Sequence, residues 1–212
     1  TTETVALDEN VTAQDLGVAE PNLLPDSPLY FFKNWGREIQ SALTFNPVKK
    51  AELREKFSNE KLIELKKVSE KNREAEVIKK ATENYQKETQ KVKEATEKIK
   101  ENAEENNQTG KFLDKFIQQQ TLHQRVLQKL ETQVPAEAFK KIAEARNVHI
   151  EKFGEVMTLL ENKEKIQERL ENNLQKVKGS EFKEFKNLEI LKDLEEKAPE
   201  ATTVATIKRT II

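Results

Sequence analysis

His123 and His149 are the only histidines in a chain of 212 residues that contains no cysteine. The apolar spacing around them places each on a helix, and the two helices are joined through a break at Pro135, so the rings can face each other. A metal centre needs three or four ligands whose orientation is fixed by outer partners, and carboxylates such as Glu144 and Glu151 are too common here to single out a third. His123 and His149 are therefore weak metal candidates, and surface or rim histidines are the simpler reading. The absence of Cys excludes disulfides, thiolate nucleophiles, zinc fingers, iron–sulfur ligation and covalent haem. Ser27, Ser41, Ser58, Ser69 and Ser180 lack the strand–turn–helix setting of a nucleophile elbow. The five glycines form no phosphate-cradling loop. Acid–base work by the 38 Asp and Glu would need a dry pocket to shift their pKa values. Glu and Lys interleaved at three and four instead read as solvated helix faces. No catalytic residue and no cofactor is expected.

The charge balance narrows the partners. Thirty-seven Lys and Arg against those 38 acids give a net charge of -1, which provides no basic field for nucleic acid. No apolar run approaches the ~20 residues of a membrane-spanning helix. Thr1 in place of an initiator Met reads as a processed or trimmed chain, and the lack of Cys fits either side of a membrane.

One dense aromatic cluster, Tyr30, Phe31, Phe32 and Trp35, lies beside Lys33 and Arg37. Such a face would suit an amphipathic helix on a membrane, but packing onto the longer helices is the simpler account. Helical spacing brings Phe32 and Trp35 near one face, expected to turn inward, while Tyr30 and Phe31 point elsewhere. In this reading Pro25, Asp26, Ser27 and Pro28 form a structural clamp. The two prolines fix the entry of the chain, and Asp26 or Ser27 caps the helix.

The elements that must position these residues are helices. Residues 1–22 show neither alternation nor a 3.6-residue period and read as an extended or flexible tail. From Pro28, Leu29, Phe32, Trp35 or Gly36, Ile39 and Leu43 recur at three and four. Asn46 as N-cap and Pro47 at the first position start a long helix over 47–71, with Leu53, Phe57, Leu62, Leu65 and Val68 as its stripe. A partner helix over 74–105 carries small, sparse apolar positions and is expected to be the least buried. After Gly110 a strongly amphipathic helix runs to Val134-Pro135. The next begins at Pro135, pauses at Asn162 and resumes to Val177. Gly179-Ser180 marks a further stop, and Phe182 to Leu194 a last helix before Pro199. Val126-Leu127, Leu130, Val134-Pro135 is echoed by Ile190-Leu191, Leu194, Ala198-Pro199, although Thr202 to Ile212 then turns strand-like. The chain thus divides into a tail over 1–22, a capping helix and long helical hairpin over 23–110, a helical bundle with a helix-Pro-helix unit over 111–199, and a tail over 200–212. The fold class is all-α: an elongated hairpin plus a bundle, about six helices in all, with extended tails at both ends.

The run from Leu24 to Lys33, LPDSPLYFFK, followed by Thr44 to Leu53, TFNPVKKAEL, resembles a bacterial domain family of unknown function with an LPDSPxYFxK opening and a TF[DN]PxKKAEL continuation. Similarity extends over about residues 15–199. The resemblance implies an exported, helix-rich protein outside the cytoplasm and attaches no catalytic activity. The expected function is a non-catalytic scaffold or interaction module that binds another protein or a cell-surface component. The alternatives are a chaperone-like holdase that works without ATP and a metal binder using His123 and His149.

Overall fold

The computed structural model describes residues 10–71, 74–101 and 107–177. They form six helices: α1 (Tyr30–Ala42), α2 (Pro47–Lys71), α3 (Ala75–Glu101), α4 (Asn107–Glu131), α5 (Ala136–Leu160) and α6 (Lys163–Leu174). The expected stop at Gly179-Ser180, the helix from Phe182 to Leu194, the repeat and the tail over 200–212 all lie outside the described residues.

The starts of the helices follow local chemistry. Before α2, the Asn46 side chain accepts the Lys49 N–H at 2.9 Å, and Pro47 takes the first helical position, where a missing N–H is harmless. The clamp residues Pro25 to Pro28 form turns, and α1 itself opens at Tyr30, with Leu29 at the cap position. Ser27 Oγ accepts the Leu29 N–H, while no side chain caps α1 at Leu29. Asp26 and Ser27 are therefore not the helix caps that the spacing suggested. Pro135 immediately precedes α5 in extended geometry. Gly110, read as a boundary, continues the first turn of α4 instead, where its carbonyl accepts a hydrogen bond from the Arg169 guanidinium.

The four long helices form a ring in the order α2, α3, α5, α4, with α1 laid on α2 and α6 on α4. Cross-contacts set the directions. Glu55 meets Gln120 and Asn59 meets His123, so α2 and α4 run parallel, and Lys93–Glu155 with Lys141–Glu83 does the same for α3 and α5. The interior has three levels. At one end Ala51, Phe112, Phe116, Ile117, Phe153 and Leu170 belong to one apolar core, and at the other Leu62, Leu65, Ile78, Leu127, Leu130 and Ile142 belong to a second. Between them lies a waist of buried polar side chains: Glu55, Ser58 and Asn59, with Thr89, Gln120, His123 and His149. The hairpin α2–α3 and the helices that follow it share both cores. α3 is not the least buried arm that its sparse pattern suggested. Ala81, Ala95, Thr82 and Thr96 are buried because their small size lets α3 seat against both α2 and α5.

Residues 10–22 hold no helix, yet they are not loose. Thr12 and Asp15 cap each other reciprocally, the Thr12 N–H donating to the carboxylate at 2.8 Å and the Asp15 N–H to the hydroxyl at 3.3 Å. The turn closes at Gly17 (φ +67°), with the Val18 N–H donating to the Ala13 carbonyl. A left-handed glycine followed by such a bond is how helical turns commonly end. The turn carries Val11, Ala13, Leu16 and Val18 into the second core, Leu16 being 0% exposed.

Candidate functional site

α1 sits on the bundle with its polar side inward. Tyr30, Arg37 and Ser41 are buried, whereas Leu29, Phe31, Phe32, Trp35, Ile39 and Leu43 are exposed, with Phe45 beyond the helix end. Trp35 keeps 58% and Phe32 62% of its surface in contact with solvent. The expectation that Phe32 and Trp35 pack inward is corrected. The physical reason lies across the interface: the strip of α2 beneath α1 presents Glu60, Lys61 and Glu64, and charges removed from water need charged partners that rings cannot supply.

Those partners come from α1. Lys33 Nζ approaches one Glu64 carboxylate oxygen at 2.8 Å and the Arg37 guanidinium the same oxygen at 2.9 Å. Arg37 also bonds Glu60. The Tyr30 hydroxyl donates to the other Glu64 oxygen and accepts from Lys61, whose ammonium lies 4.4 Å from the Tyr30 ring centre. Arg37 stacks over Phe57 at 5.6 Å. Burial alone would raise the Glu64 pKa, but Lys61 and Arg37 outweigh it and hold the carboxyl below its usual range. Burial pushes the Lys61 ammonium down to about 8 despite Glu64, and burial with the Glu64 charge pushes the Tyr30 phenol upward. Further along α1, Glu38 binds Arg54 at 2.8 Å and Lys91 at 2.6 Å, tying α1 to α3 as well. Hydrogen bonds from Arg54 draw the Glu38 pKa down to about 2.

The two histidines do meet, with ring centres 5.7 Å apart. His123 Nε2 lies 2.6 Å from Asn59 Oδ1, an acceptor only, so it carries the proton, and Nδ1 accepts from the Tyr85 hydroxyl at 3.0 Å. The chain continues as Asn59 Nδ2 and Gln119 Nε2 both donate to the Leu16 carbonyl, at 3.0 and 3.1 Å. Burial, with His149 adding to it, drives the His123 pKa well below its ordinary value, as a neutral ring in this network requires. With both ring nitrogens engaged, His123 has none left for a metal. Among the described residues, no three His, Asp or Glu side chains are grouped so as to hold one. His123 is a structural part of the waist, joining α2, α3 and α4 to the N-terminal turn through Asn59 and Tyr85, and the His149 ring lies against it from α5.

A groove of about 280 Å³ lies between α2 and α4 beside that turn, with Leu53, Phe112 and Phe116 in its walls and Glu55, Asn59 and Gln119 lining its polar side. Burial raises the Glu55 pKa to about 8, against the opposing pull of the Gln120 amide. Asn46, Pro47 and Pro135 are at helix starts and take no part in any of these clusters. The largest exposed apolar feature of the described chain is therefore the outer face of α1. Sequence reasoning found its residues and assigned them to the wrong side of the helix.

Among the described residues, no helix is long and apolar enough to cross a membrane. No curated protein and no solved structure matches the chain. A family model described as a domain of unknown function, DUF5667, matches residues 22–137, from just before the clamp to just past Pro135. That span is more than half of the 212 residues, and the chain belongs to this family.

Proposed function

We propose that the protein is a non-catalytic helical interaction module that docks on another polypeptide through the outward face of α1. The observation that carries this reading is the inversion of α1, whose polar side is consumed by Glu60, Lys61 and Glu64 while its rings face solvent. A single protomer rarely exposes contiguous apolar patches beyond roughly 300–600 Å² unless they bind something. A polypeptide is favoured over an anionic bilayer because Lys33 and Arg37, the cations that α1 could offer to lipid headgroups, are held against Glu64. The net charge of -1 points the same way. A holdase would need a surface that accepts many unfolded chains, whereas the α1 face is a convex ridge on a rigid charged base. Placement outside the cytoplasm, as a scaffold among other proteins or cell-surface components, rests on the opening motif.

A photo-reactive residue at position 35, introduced into the full-length protein in its own cell, tests the docking reading. One cross-linked protein species at fixed stoichiometry, lost when Phe32→Ser is added, is expected. Cross-links to lipid alone, or to a broad mixture of unfolded chains, would overturn it. Fractionation of the same cells checks the compartment, and recovery with the cytoplasm would remove that part.

A further inference from the structure

We propose that the polypeptide docked on α1 is α1 of a second copy of this chain, the two helices crossing antiparallel about a two-fold axis at Gly36. The proposal rests on the reading of α1 as a protein-docking face and names its partner. Gly36 is the midpoint of Tyr30–Ala42, it is exposed, and a Cβ built on it would meet nothing within 4 Å. Among the described residues nothing calls for a glycine there, and glycine weakens a helix interior relative to alanine. Its use is close approach by a backbone from outside, which a crossing helix supplies and a bilayer does not.

The distribution of side chains about Gly36 is self-complementary. The half of α1 before it carries Phe31, Phe32 and Trp35, and the half after it carries Ile39, with Leu43 beyond the helix end. Antiparallel pairing about residue 36 sets Leu29 of one copy against Leu43 of the other and brings Phe32 over Gln40, beside Ile39. Rings then meet aliphatic chains, and each patch meets itself by symmetry, as a closed two-fold interface requires. Phe31, Phe32, Trp35 and, just past the helix end, Phe45 each offer roughly 150–250 Å² and are more than half exposed, and together with Leu29, Ile39 and Leu43 they leave an apolar face on the order of 800 Å². One partner's share of a standard stable interface is about that size. The rim adds no uncompensated charge near Glu38, which is already paired with Arg54 and Lys91.

The chain contains no cysteine, so introduced thiols report geometry without background. Sedimentation of the full chain should show a concentration-dependent dimer of the 24.5 kDa protomer. Gly36→Leu, which places bulk at the crossing point on an open surface, should weaken it by roughly tenfold or more with helical content unchanged. Mixed Leu29→Cys and Leu43→Cys chains should oxidise to the 29–43 product in preference to 29–29, and Gly36→Cys should cross-link to itself. Preferred 29–29 product would overturn the antiparallel crossing. A chain that stays monomeric while position 35 cross-links to a different protein would overturn the second copy and leave the docking reading standing. A monomer whose Trp35 emission shifts to the blue only on phosphatidylglycerol vesicles would overturn both.

Discussion

Two glutamates on α2, nine residues apart, are equally hidden and behave in opposite ways. Glu64 is 1% exposed and its carboxyl is held ionised by Lys61, Arg37 and Lys33, while Glu55 is 3% exposed and its pKa rises to about 8. Glu55 Oε1 accepts from the Gln120 amide at 2.6 Å, and Oε2 has no hydrogen-bond partner among the described residues. Burial pushes both carboxyls upward, and what separates them is whether the neighbours are strong enough to reverse it. Where α2 meets α1 the neighbours are cations, and the interface is ionic. Where α2 meets α4 they are amides and an imidazole, with Lys115 pulling too weakly to offset burial, and the waist is neutral. The ionic interface has a consequence that the waist lacks, because it engages the polar side of α1 and leaves the apolar side facing outward.

The sharpest way to break the contrast is to remove the shared anion. Glu64→Ala leaves Lys33, Lys61 and Arg37 gathered around an uncompensated site, and stripping one partner from a buried ion cluster typically costs about 3–5 kcal/mol. Denaturant unfolding should register that loss. Hydrogen exchange should show it first in α1, whose attachment to the bundle depends on Glu64.

The matching change in the waist acts in the other direction and depends on pH. The native carboxyl of Glu55 keeps its proton up to about pH 8, against an ordinary value of 4.5. The native state therefore binds more protons than the unfolded chain across that window. Its stabilising contribution is complete below pH 4.5 and is lost as pH rises through 8. Glu55→Gln keeps an oxygen for the Gln120 amide and cannot ionise, so it should flatten this slope, gaining at most ~5 kcal/mol relative to wild type at the alkaline end. Unfolding curves at a series of pH values check the sign. A variant whose deficit relative to wild type grew with pH would mean that Glu55 is ionised and paired in the native state.

A smaller effect is expected within the neutral network. Asn59→Ala deprives the His123 N–H of its acceptor, while the Leu16 carbonyl keeps its bond from Gln119. Leaving one buried donor unsatisfied costs about 1–3 kcal/mol. Because the native His123 pKa lies well below 6.5, the native ring binds fewer protons than the unfolded one, and its contribution is lost as pH falls below 6.5. Denaturation of His123→Gln and wild type at pH 7 and pH 5 should show the gap between them narrowing at the lower pH.

The contrast also explains which parts of the structure were legible in the sequence. Helix positions were, because Asn46-Pro47, Pro135 and the apolar periods are local signals. The facing of His123 and His149 was too, since a two-helix hairpin brings them together. The role of His123 was not, because it depends on Asn59 and Tyr85, more than 35 residues away in the chain. The Thr12-x-x-Asp15 box and the Gly17 stop were readable signals of an ordered turn, passed over because they span only one turn. The error at Phe32 and Trp35 has a deeper cause. Periodicity divides a helix into two faces and does not say which of them is buried. The strip Glu60, Lys61 and Glu64 decides it, and it belongs to another helix.

The two faces of α1 permit a last comparison in which the smaller number is the more informative. Tyr30→Phe, on the inner face, removes a hydroxyl that donates to Glu64 and accepts from Lys61, and should cost about 1–3 kcal/mol. Trp35→Ser, five residues on and far the larger change in volume, should alter the stability of the dilute protomer by no more than about 0.5 kcal/mol. Trp35 has little protein around it there, so no cavity forms and no polar atom loses a partner. The same substitution should lower self-association, measured by sedimentation, because the ring's contacts lie on the far side of the interface. Emission from Trp35, the only tryptophan, should match a solvated indole at high dilution and move to the blue as concentration rises. If Trp35→Ser destabilises the dilute protomer as much as Tyr30→Phe does, the ring is packed against the bundle after all. The inversion of α1, and every inference drawn from it, would then be wrong.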